Sequence, residues 1–286
     1  MITLGDMRLH LINDCRVLVE GGGAFGLVPR ALWRGMMPPD EDNRVPMTQH
    51  VLLVQHGGRN ILIDAGYGEK VPEKQRGYLF MDRSTGGVRG ALARLNLTPD
   101  DIDLVIDTHL HSDHSSGNTV YGEGGAILPM YPNAEYVVQA REYYDATHPN
   151  ERTRATYLAE NYVPLYESGQ LRLLEGDTDL GPGIRGVVTP GHTPGHMSVI
   201  LESGGQFAMF TCDLSSYAIH FERLGWMTAY DLEPVVTLEN KRIYQKWALE
   251  TNALLIFPHD PVRPMGRYVE GADGKHAVVK IDEPYA

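Results

Sequence analysis

Four side chains that commonly bind metal ions fall within six consecutive positions: His109, His111, Asp113 and His114. Imidazole and carboxylate groups together are typical ligands of Zn²⁺ and similar divalent cations. His109 and His111 alternate, so their side chains point to the same side of an extended backbone, whereas Asp113 and His114 lie where the chain must turn. A surface histidine tract would lack the interleaved aspartate. The spacing therefore predicts a metal centre, and its geometry suggests two metals rather than one.

This metal-binding stretch follows a short apolar run, Leu104–Ile106, which is typical of a buried strand that ends in a loop. Further along, His192 and His196 stand in the block Thr-Pro-Gly-His-Thr-Pro-Gly-His that begins at Thr189. Because two prolines and two glycines fix this backbone, little ordering entropy is left to lose when a histidine binds metal. His192 is therefore a candidate ligand, and we expect His196 to form hydrogen bonds near the site.

The pattern His109-x-His111-x-Asp113-His114 resembles the signature of the metallo-β-lactamase fold superfamily of metallohydrolases. Stretches that resemble the family's other motifs follow in family order. The resemblance implies an α/β fold, a four-layer αββα sandwich, and it implies that Asp64 orients a ligand by hydrogen bonding. The ligands that it implies are His109, His111 and His192 for one metal, Asp113, His114 and His259 for the other, and Asp213 as the bridge between them.

The resemblance also implies the chemistry of the site. Two divalent cations, Zn²⁺ in the first place and Fe, Co or Mn as alternatives, would share a water whose pKa falls to about 7. The resulting hydroxide would attack a carbonyl or phosphoryl centre, and Asp113 could pass a proton to the leaving group. Cys212 is a rival ligand beside Asp213, because β-lactamases of this superfamily often use a cysteine near this point. Strand alternation would aim Cys212 away from the site.

Within that superfamily the chain looks most similar to the acyl-homoserine lactonases and the organophosphate hydrolases. In the lactonases a tyrosine just past the bridging aspartate donates a hydrogen bond to the carbonyl oxygen, and Tyr217 follows Asp213 closely here. A tyrosine packed in the core is the alternative role for Tyr217. We expect a hydrolase that opens a small ester, first of all a lactone. The alternatives are a phosphotriesterase and, in another class, a non-catalytic metal-binding protein.

Residues 20–46 form an insertion rich in Gly and Pro that cannot be regular sheet. Phe25, Trp33 and Met36 in this insertion offer apolar contacts, and we predict that it lines the active site. A mobile surface loop is the alternative. Residues 214–231 have the composition of a loop with aromatic anchors, from which we expect Tyr217 and His220 to contact the substrate.

The elements that must position these residues follow from hydrophobic periodicity. Residues 47–56 and 60–64 predict one β-hairpin, and residues 197–201 and 206–211 predict another. Apolar residues at helical spacing predict helices over 86–96 and 235–250, while residues 139–168 are expected to be mostly helical. The tail, with Tyr268 and Gly271–Gly274, is expected to be polar surface.

Composition limits the partners and the organisation. With 286 residues, 42% of them apolar, the chain fits a single domain over residues 1–286. A net charge of −12 argues against nucleic acid and an anionic membrane as partners. The partner that the resemblance implies is a small ester or lactone. A homodimer is common in the resembling enzymes. Two widely separated cysteines, no visible signal peptide and no apolar run long enough to span a membrane predict a cytoplasmic protein.

Overall fold

The computed structural model of the chain describes residues 1–281. The strands in this range are β1 (Ile2–Leu4), β2 (Met7–Glu20), β3 (Arg44–His56), β4 (Arg59–Ile63), β5 (Leu104–Ile106), β6 (Thr119–Tyr121), β7 (Ile127–Pro129), β8 (Glu135–Gln139), β9 (Leu171–Leu174), β10 (Thr178–Gly181), β11 (Ile184–Val188), β12 (Met197–Ser203), β13 (Gln206–Phe210), β14 (Leu254–Ile256), β15 (Met265–Glu270) and β16 (His276–Lys280). One seven-stranded sheet has the order β1-β2-β3-β4-β5-β8-β9, another has β10-β11-β12-β13-β14-β15-β16, and β6 pairs with β7 apart from both. The prediction of a single domain extends beyond the described range and stays a prediction.

Both predicted hairpins are present, because β3 pairs antiparallel with β4 and β12 with β13. From β4 onward the first sheet is parallel through β5, β8 and β9. In the second sheet β13 and β14 are also parallel. Since parallel strands end at the same edge of a sheet, the loops after β4 and β5 lie together, and so do the loops after β13 and β14.

Nine α-helices lie in residues 1–281. They are α1 (Gly21–Phe25), α2 (Arg30–Trp33), α3 (Glu73–Tyr78), α4 (Gly87–Arg94), α5 (Ser112–Ser115), α6 (Ala140–Thr147), α7 (Val163–Glu167), α8 (Ala218–Glu222) and α9 (Pro234–Thr251). The predicted helices over 86–96 and 235–250 correspond to α4 and α9. None of the helices in residues 1–281 has the length and apolar character needed to cross a membrane.

Alternation along the strands sorts apolar side chains into separate layers. Leu52 and Val54 of β3 share the core between the sheets with Val199 and Leu201 of β12, whereas Leu53 faces the helices outside. On the outer face of the first sheet the core includes apolar residues of α4, and on the second sheet it includes residues of α8 and α9. The order helix, sheet, sheet, helix confirms the predicted four-layer αββα sandwich.

Two local predictions were wrong. The tail is not simply polar surface, since β15 and β16 pair antiparallel and complete the second sheet, with Tyr268 and Val278 buried. In β16 Val278 is the one buried residue and stands between exposed neighbours, so the composition there is typical of a surface segment. Residues 282–286 of that tail lie outside the described range. Within 139–168, α-helix is confined to α6 and α7, and a 3-10 turn at Ala159–Asn161 and other turns occupy much of the segment between them.

Two buried histidines make the stability of this fold depend on pH. Burial lowers the pKa of His50 and of His220 to about 3, from 6.5 for an ordinary histidine. Between these values the unfolded chain binds protons that the folded chain does not bind. The free energy of unfolding should therefore decrease as the pH falls through 6.5 towards 3, by about 2 kcal/mol per histidine at about pH 5.

We expect His220→Leu to lose less stability on acidification than the wild-type protein. Urea unfolding at about pH 7.5 and about pH 5 measures this, because the difference between the two pH values cancels the packing change that the substitution also causes. An equal loss in both proteins would contradict a neutral His220 in the folded state.

Candidate metal centre

The metal-binding stretch directly follows β5, at the end of the first sheet where the parallel strands β4 and β5 terminate. The chain continues past His109 to His111, and α5 begins at the next residue, so that its single turn carries Asp113 and His114. The Ser115 hydroxyl fastens this turn by donating to two preceding backbone carbonyl oxygens, each at 3.1 Å. A sharp helical turn directly after a strand is what brings all of these side chains to one place.

Close packing beneath α5 fixes it to the loop after β4. A Cβ atom at Gly117 would lie 2.0 Å from the carbonyl oxygen of Ala65, so glycine alone fits this position. The backbone N–H groups of Ala65 and Gly66 both donate to the carbonyl oxygen of His114, at 2.8 and 3.0 Å. Asp64 precedes them with a φ of 59°, a left-handed conformation that aspartate adopts only at some energetic cost.

Three imidazoles form the first ligand group: His109, His111 and His192. His192 Nε2 lies 3.1 Å from His111 Nδ1, and one nitrogen from each ring lies within 4.8 Å of the others. All three rings are buried. His109 Nε2 has no hydrogen-bond partner among residues 1–281. A buried lone pair that faces other lone pairs suits a cation and is costly without one.

Asp113, His114 and His259 form the second ligand group. His114 Nε2 lies 3.2 Å from His259 Nε2, and Asp113 Oδ2 lies 3.5 Å from the first of these nitrogens and 3.7 Å from the second. His259 reaches the site from the loop after β14. Its ring is buried, whereas 22% of the Asp113 side chain is exposed.

Asp213 lies between the two ligand groups. Its carboxylate oxygens approach Nε2 of His192 and of His259 at 3.2 Å, His114 at 3.4 Å and His109 at 3.8 Å. The Ser216 hydroxyl donates to Oδ1 of the same carboxylate at 2.8 Å. This is the position that a carboxylate bridging two cations requires.

Hydrogen bonds behind the rings determine which nitrogen faces the centre. His114 Nδ1 bonds to Asp64 Oδ2 at 2.8 Å, and His192 Nδ1 bonds to Asp231 Oδ1 at 3.0 Å. His259 Nδ1 bonds to the carbonyl oxygen of Thr48 at 3.0 Å. Since these oxygens accept, each Nδ1 carries the hydrogen and each Nε2 presents a lone pair inward. Asp64 therefore has the orienting geometry expected from the sequence.

The charges of the site favour a cation at its centre. Burial lowers the pKa of His109, and it lowers the pKa of His111 to about 3, with neighbouring imidazoles adding to both shifts. At His192 burial acts in the same direction, but the carboxylates of Asp213 and Asp231 outweigh it and leave the pKa raised. The neutral imidazoles of His109 and His111 cannot balance the buried carboxylates, whereas divalent cations would satisfy both kinds of group. The donor set thus fits the predicted pair of metal ions.

His196 and Cys212 lie beside the centre rather than in it. The backbone N–H of Asp213 donates to His196 Nε2 at 3.1 Å, and burial lowers the pKa of His196 to about 3, so the ring stays a neutral acceptor. Cys212 Sγ lies 2.8 Å from Thr108 Oγ1 and 3.7 Å from His109 Nδ1. It thus contacts the side of the His109 ring that faces away from Asp213.

A cavity of about 190 Å³ opens onto both ligand groups, and its floor includes Asp113, Asp213 and His259. The rest of its wall is largely apolar or aromatic and includes Val19, Ala24, Met47, Tyr67, Leu79, Tyr217 and Tyr230. The Tyr217 hydroxyl is buried and has no hydrogen-bond partner among the described residues. Burial, and then nearby carboxylates, raise the pKa of Tyr217, so this hydroxyl remains a donor at neutral pH.

The structure places the other predicted substrate contacts away from the cavity wall. Phe25 and Trp33 are buried and stack with ring centroids 4.6 Å apart, and Phe25 packs against Tyr217 from behind. His220 is buried with its ring edge-on to Phe25. Met36 is 45% exposed, outside the residues that line the cavity. These four residues support the wall or lie on the surface, because α1 and α2 fold the 20–46 segment inward onto itself, and from this segment Ala24 lines the cavity.

Several residues of the site escape the sequence patterns. Asp231 holds His192 although 39 positions separate them, and no motif marks it. Thr48 contributes only a backbone oxygen, which any residue type would provide. Tyr67 and Tyr230 face the cavity from loops. The one signal for Tyr67 is its place after Asp64 in a glycine-flanked turn.

Comparisons with known proteins agree with this geometry. The family model of the metallo-beta-lactamase superfamily matches residues 44–250. An N-acyl homoserine lactonase from Bacillus sp is 31% identical over 236 residues, which cover 78% of this chain and 85% of the relative. The crystal structure of a probable metal-dependent hydrolase from Staphylococcus aureus is 30% identical, with a TM-score of 0.89 over 99% of this chain and 100% of that chain.

A dizinc quorum-quenching lactonase in complex with its product has a TM-score of 0.81 over 99% of this chain and 97% of that chain. At 20% identity this likeness shows the fold alone. The family match covers most of the chain and includes every candidate ligand except His259, which follows the matched region. The chain belongs to the metallo-beta-lactamase superfamily.

Proposed function

We propose that this hydrolase opens the ring of a lactone at a dinuclear metal centre, with Zn²⁺ as the first choice of metal and Fe, Co or Mn as alternatives. The observation that carries the proposal is the convergence of four histidine Nε2 atoms on Asp213, all within 3.8 Å, at the floor of a cavity. Support for a lactone comes from the relative named N-acyl homoserine lactonase. The first ligand group would hold one cation, the second group the other, and Asp213 both.

Bound cations would supply Lewis acidity and a water that loses its proton near neutral pH. The chain's own side chains would perform the other parts of the reaction. Asp113, whose carboxylate is partly exposed to the cavity, would accept the proton of the attacking water and deliver it to the ring oxygen as the carbon–oxygen bond breaks. Tyr217 would donate its hydroxyl hydrogen to the carbonyl oxygen under attack. The product is the ring-opened hydroxy acid.

An adjoining cleft could hold the part of the substrate that does not react. Its volume is about 470 Å³, its walls include Val71 and Leu158, and it shares Tyr67 and Ser112 with the metal cavity. Because Ser112, a small residue next to Asp113, lines both spaces, we propose that the substrate extends from one into the other. This arrangement favours a lactone that carries an apolar chain.

A substrate panel tests the function. Acyl homoserine lactones of increasing chain length, simple lactones and a phosphotriester would be compared with the metal-loaded enzyme. We expect lactone opening, with kcat/KM increasing about fourfold per added methylene while the cleft fills, since a buried methylene contributes about 0.8 kcal/mol. Phosphotriester turnover without lactone turnover would replace the proposal by the phosphotriesterase alternative. Inactivity on the whole panel with metal bound would contradict both.

We also propose a cytoplasmic location for the protein. Cys15 and Cys212 are both buried and unpaired, which suits a reducing cytoplasm. The homodimer expected from resembling enzymes stays a prediction, and sedimentation velocity would decide it.

A further inference from the structure

Glu142 is a buried carboxylate that belongs to neither ligand group. It lies in the first turn of α6 and is fully buried. Its Oε1 accepts hydrogen bonds from the Leu110 N–H and the Tyr157 hydroxyl, each at 3.0 Å, and its Oε2 accepts one from the Thr193 hydroxyl at 2.5 Å. A buried carboxylate is costly unless donors surround it, so these three bonds hold Glu142 and its neighbours in one arrangement.

Each of the three donors lies next to the first ligand group. Leu110 directly precedes His111. Thr193 directly follows His192. Tyr157 forms an isolated β-bridge with His111, and the centroid of its ring lies 5.1 Å from that of the imidazole. Glu142 therefore ties the loop after β5 to the loop after β11, the two loops that bring His111 and His192 to 3.1 Å.

Backbone packing leaves these loops little freedom to adjust. A Cβ atom at Gly195 would lie 2.3 Å from the backbone nitrogen of Glu142 and 2.5 Å from its Cα. The loop that carries His192 thus rests directly on the start of α6, and only a residue without a side chain permits this contact. Glu142 therefore holds the loop that carries His192 in two ways, by backbone packing and by side-chain hydrogen bonds.

The second ligand group has supports of its own. His114 bonds to Asp64, and His259 bonds to the carbonyl oxygen of Thr48. Within residues 1–281 the hydrogen bonds of Glu142 go to neighbours of the first group and to none of these residues. The second ligand group therefore has hydrogen bonds that do not involve Glu142, although Asp113 and His114 share the loop after β5 with His111.

We propose that Glu142 is a positioning residue that sets the separation of His111 from His192 and so determines how tightly the first ligand group holds its cation. This inference rests on the metal-binding part of the proposed function and not on the identity of the substrate. Removal of the carboxylate would let the loop that carries His192 move relative to His111, while the bonds of α5 to the loop after β4 and of His259 to Thr48 are retained.

Glu142→Gln is the primary test, because it keeps the shape of the side chain while removing its charge. Metal-free protein would be titrated with Zn²⁺ in competition with a chromogenic chelator. We expect the wild-type protein to take up two tight equivalents, and the variant to take up one tight equivalent and one weakened about 10–100-fold, as for other groups that hold metal ligands in place. Glu135→Gln, at an exposed carboxylate on β8, is the matched control and should bind as the wild type does.

The outcomes are distinct. Two unchanged equivalents in folded Glu142→Gln would overturn the inference, and so would equal weakening of both equivalents. Excess Zn²⁺ should restore the kcat of the variant, whereas a general loss of structure would not respond to metal. Circular dichroism confirms folding, and the glutamine variant decides the question even if Glu142→Ala does not fold.

A double-mutant cycle with Thr193→Val tests the route of the effect. Thr193→Val removes the same hydrogen bond from the other loop, so the double variant should lose less Zn²⁺ affinity than the sum of the single variants. Additive losses would overturn the loop-tying role. Lactone turnover by the wild-type enzyme is measured separately, so that a wrong substrate and a wrong role for Glu142 give different results.

Discussion

Asp213→Ala is expected to abolish nearly all hydrolysis together with metal binding. The carboxylate of Asp213 lies between the two ligand groups, within 3.8 Å of a nitrogen from each of four histidines. Its removal leaves imidazole lone pairs facing one another with one fewer negative charge to hold the cations. The loss of a single preorganised electrostatic group costs about 10²–10³-fold in rate, and here metal would be lost as well, so kcat/KM should fall at least that far. Elemental analysis of the purified variant, alongside turnover, measures both quantities.

A matched control separates this effect from a general loss of charge. Asp179→Ala removes an exposed carboxylate on β10, outside the residues that line the cavity, and should leave metal content and turnover unchanged. Full metal stoichiometry in Asp213→Ala would exclude a bridging role for this residue.

Asp113→Asn is expected to have the second-largest effect, because it removes the group proposed to move the proton. Loss of a general acid or base costs about 10²–10⁴-fold in rate. Asn keeps the size of the side chain and one oxygen, so at saturating metal the loss should appear mainly in kcat. The loss should depend on the leaving group. An alkoxide needs a proton as it departs, whereas a thiolate, whose conjugate acid has a pKa of about 8.5, departs without one.

The comparison of a lactone with the matching thiolactone therefore isolates the role of Asp113. Asp113→Asn should lose much more activity on the lactone than on the thiolactone. Tyr217→Phe provides the contrast, because its hydroxyl is proposed to act on the carbonyl oxygen and should matter about equally for both substrates. Equal losses on the two substrates in Asp113→Asn would remove the proton-transfer role and leave only a ligand role.

The convergence of the candidate ligands can be predicted from the sequence because each of them follows a strand end. His109 follows β5, His192 follows β11, Asp213 follows β13 and His259 follows β14. Periodicity locates these strands, and the parallel pairing of β4 with β5 and of β13 with β14 then brings the loops together. The local sequence signals and the strand topology agree here, which is why the metal centre can be predicted from the sequence.

The cavity wall is less predictable, because nothing in a sequence says which face of an aromatic residue is covered. Phe25 and Trp33 stand in a segment rich in glycine. Such a composition is compatible with a mobile loop over the cavity as well as with a folded segment. The structure shows the second case, with two short helices that bury both rings, Trp33 stacked on Phe25 and Phe25 on Tyr217. Residues such as Asp231 and Glu142 act across long stretches of chain, so their partners become visible only when the fold is known.

The central claim is that seven side chains from four loops hold a pair of cations. Crystals of the protein grown with Zn²⁺ and measured on both sides of the zinc absorption edge test it most directly. The account predicts two anomalous peaks, one against His111 and His192 and one against Asp113 and His259, with Asp213 contacting both. A single peak, or peaks away from Asp213 in a protein saturated with Zn²⁺, would contradict it.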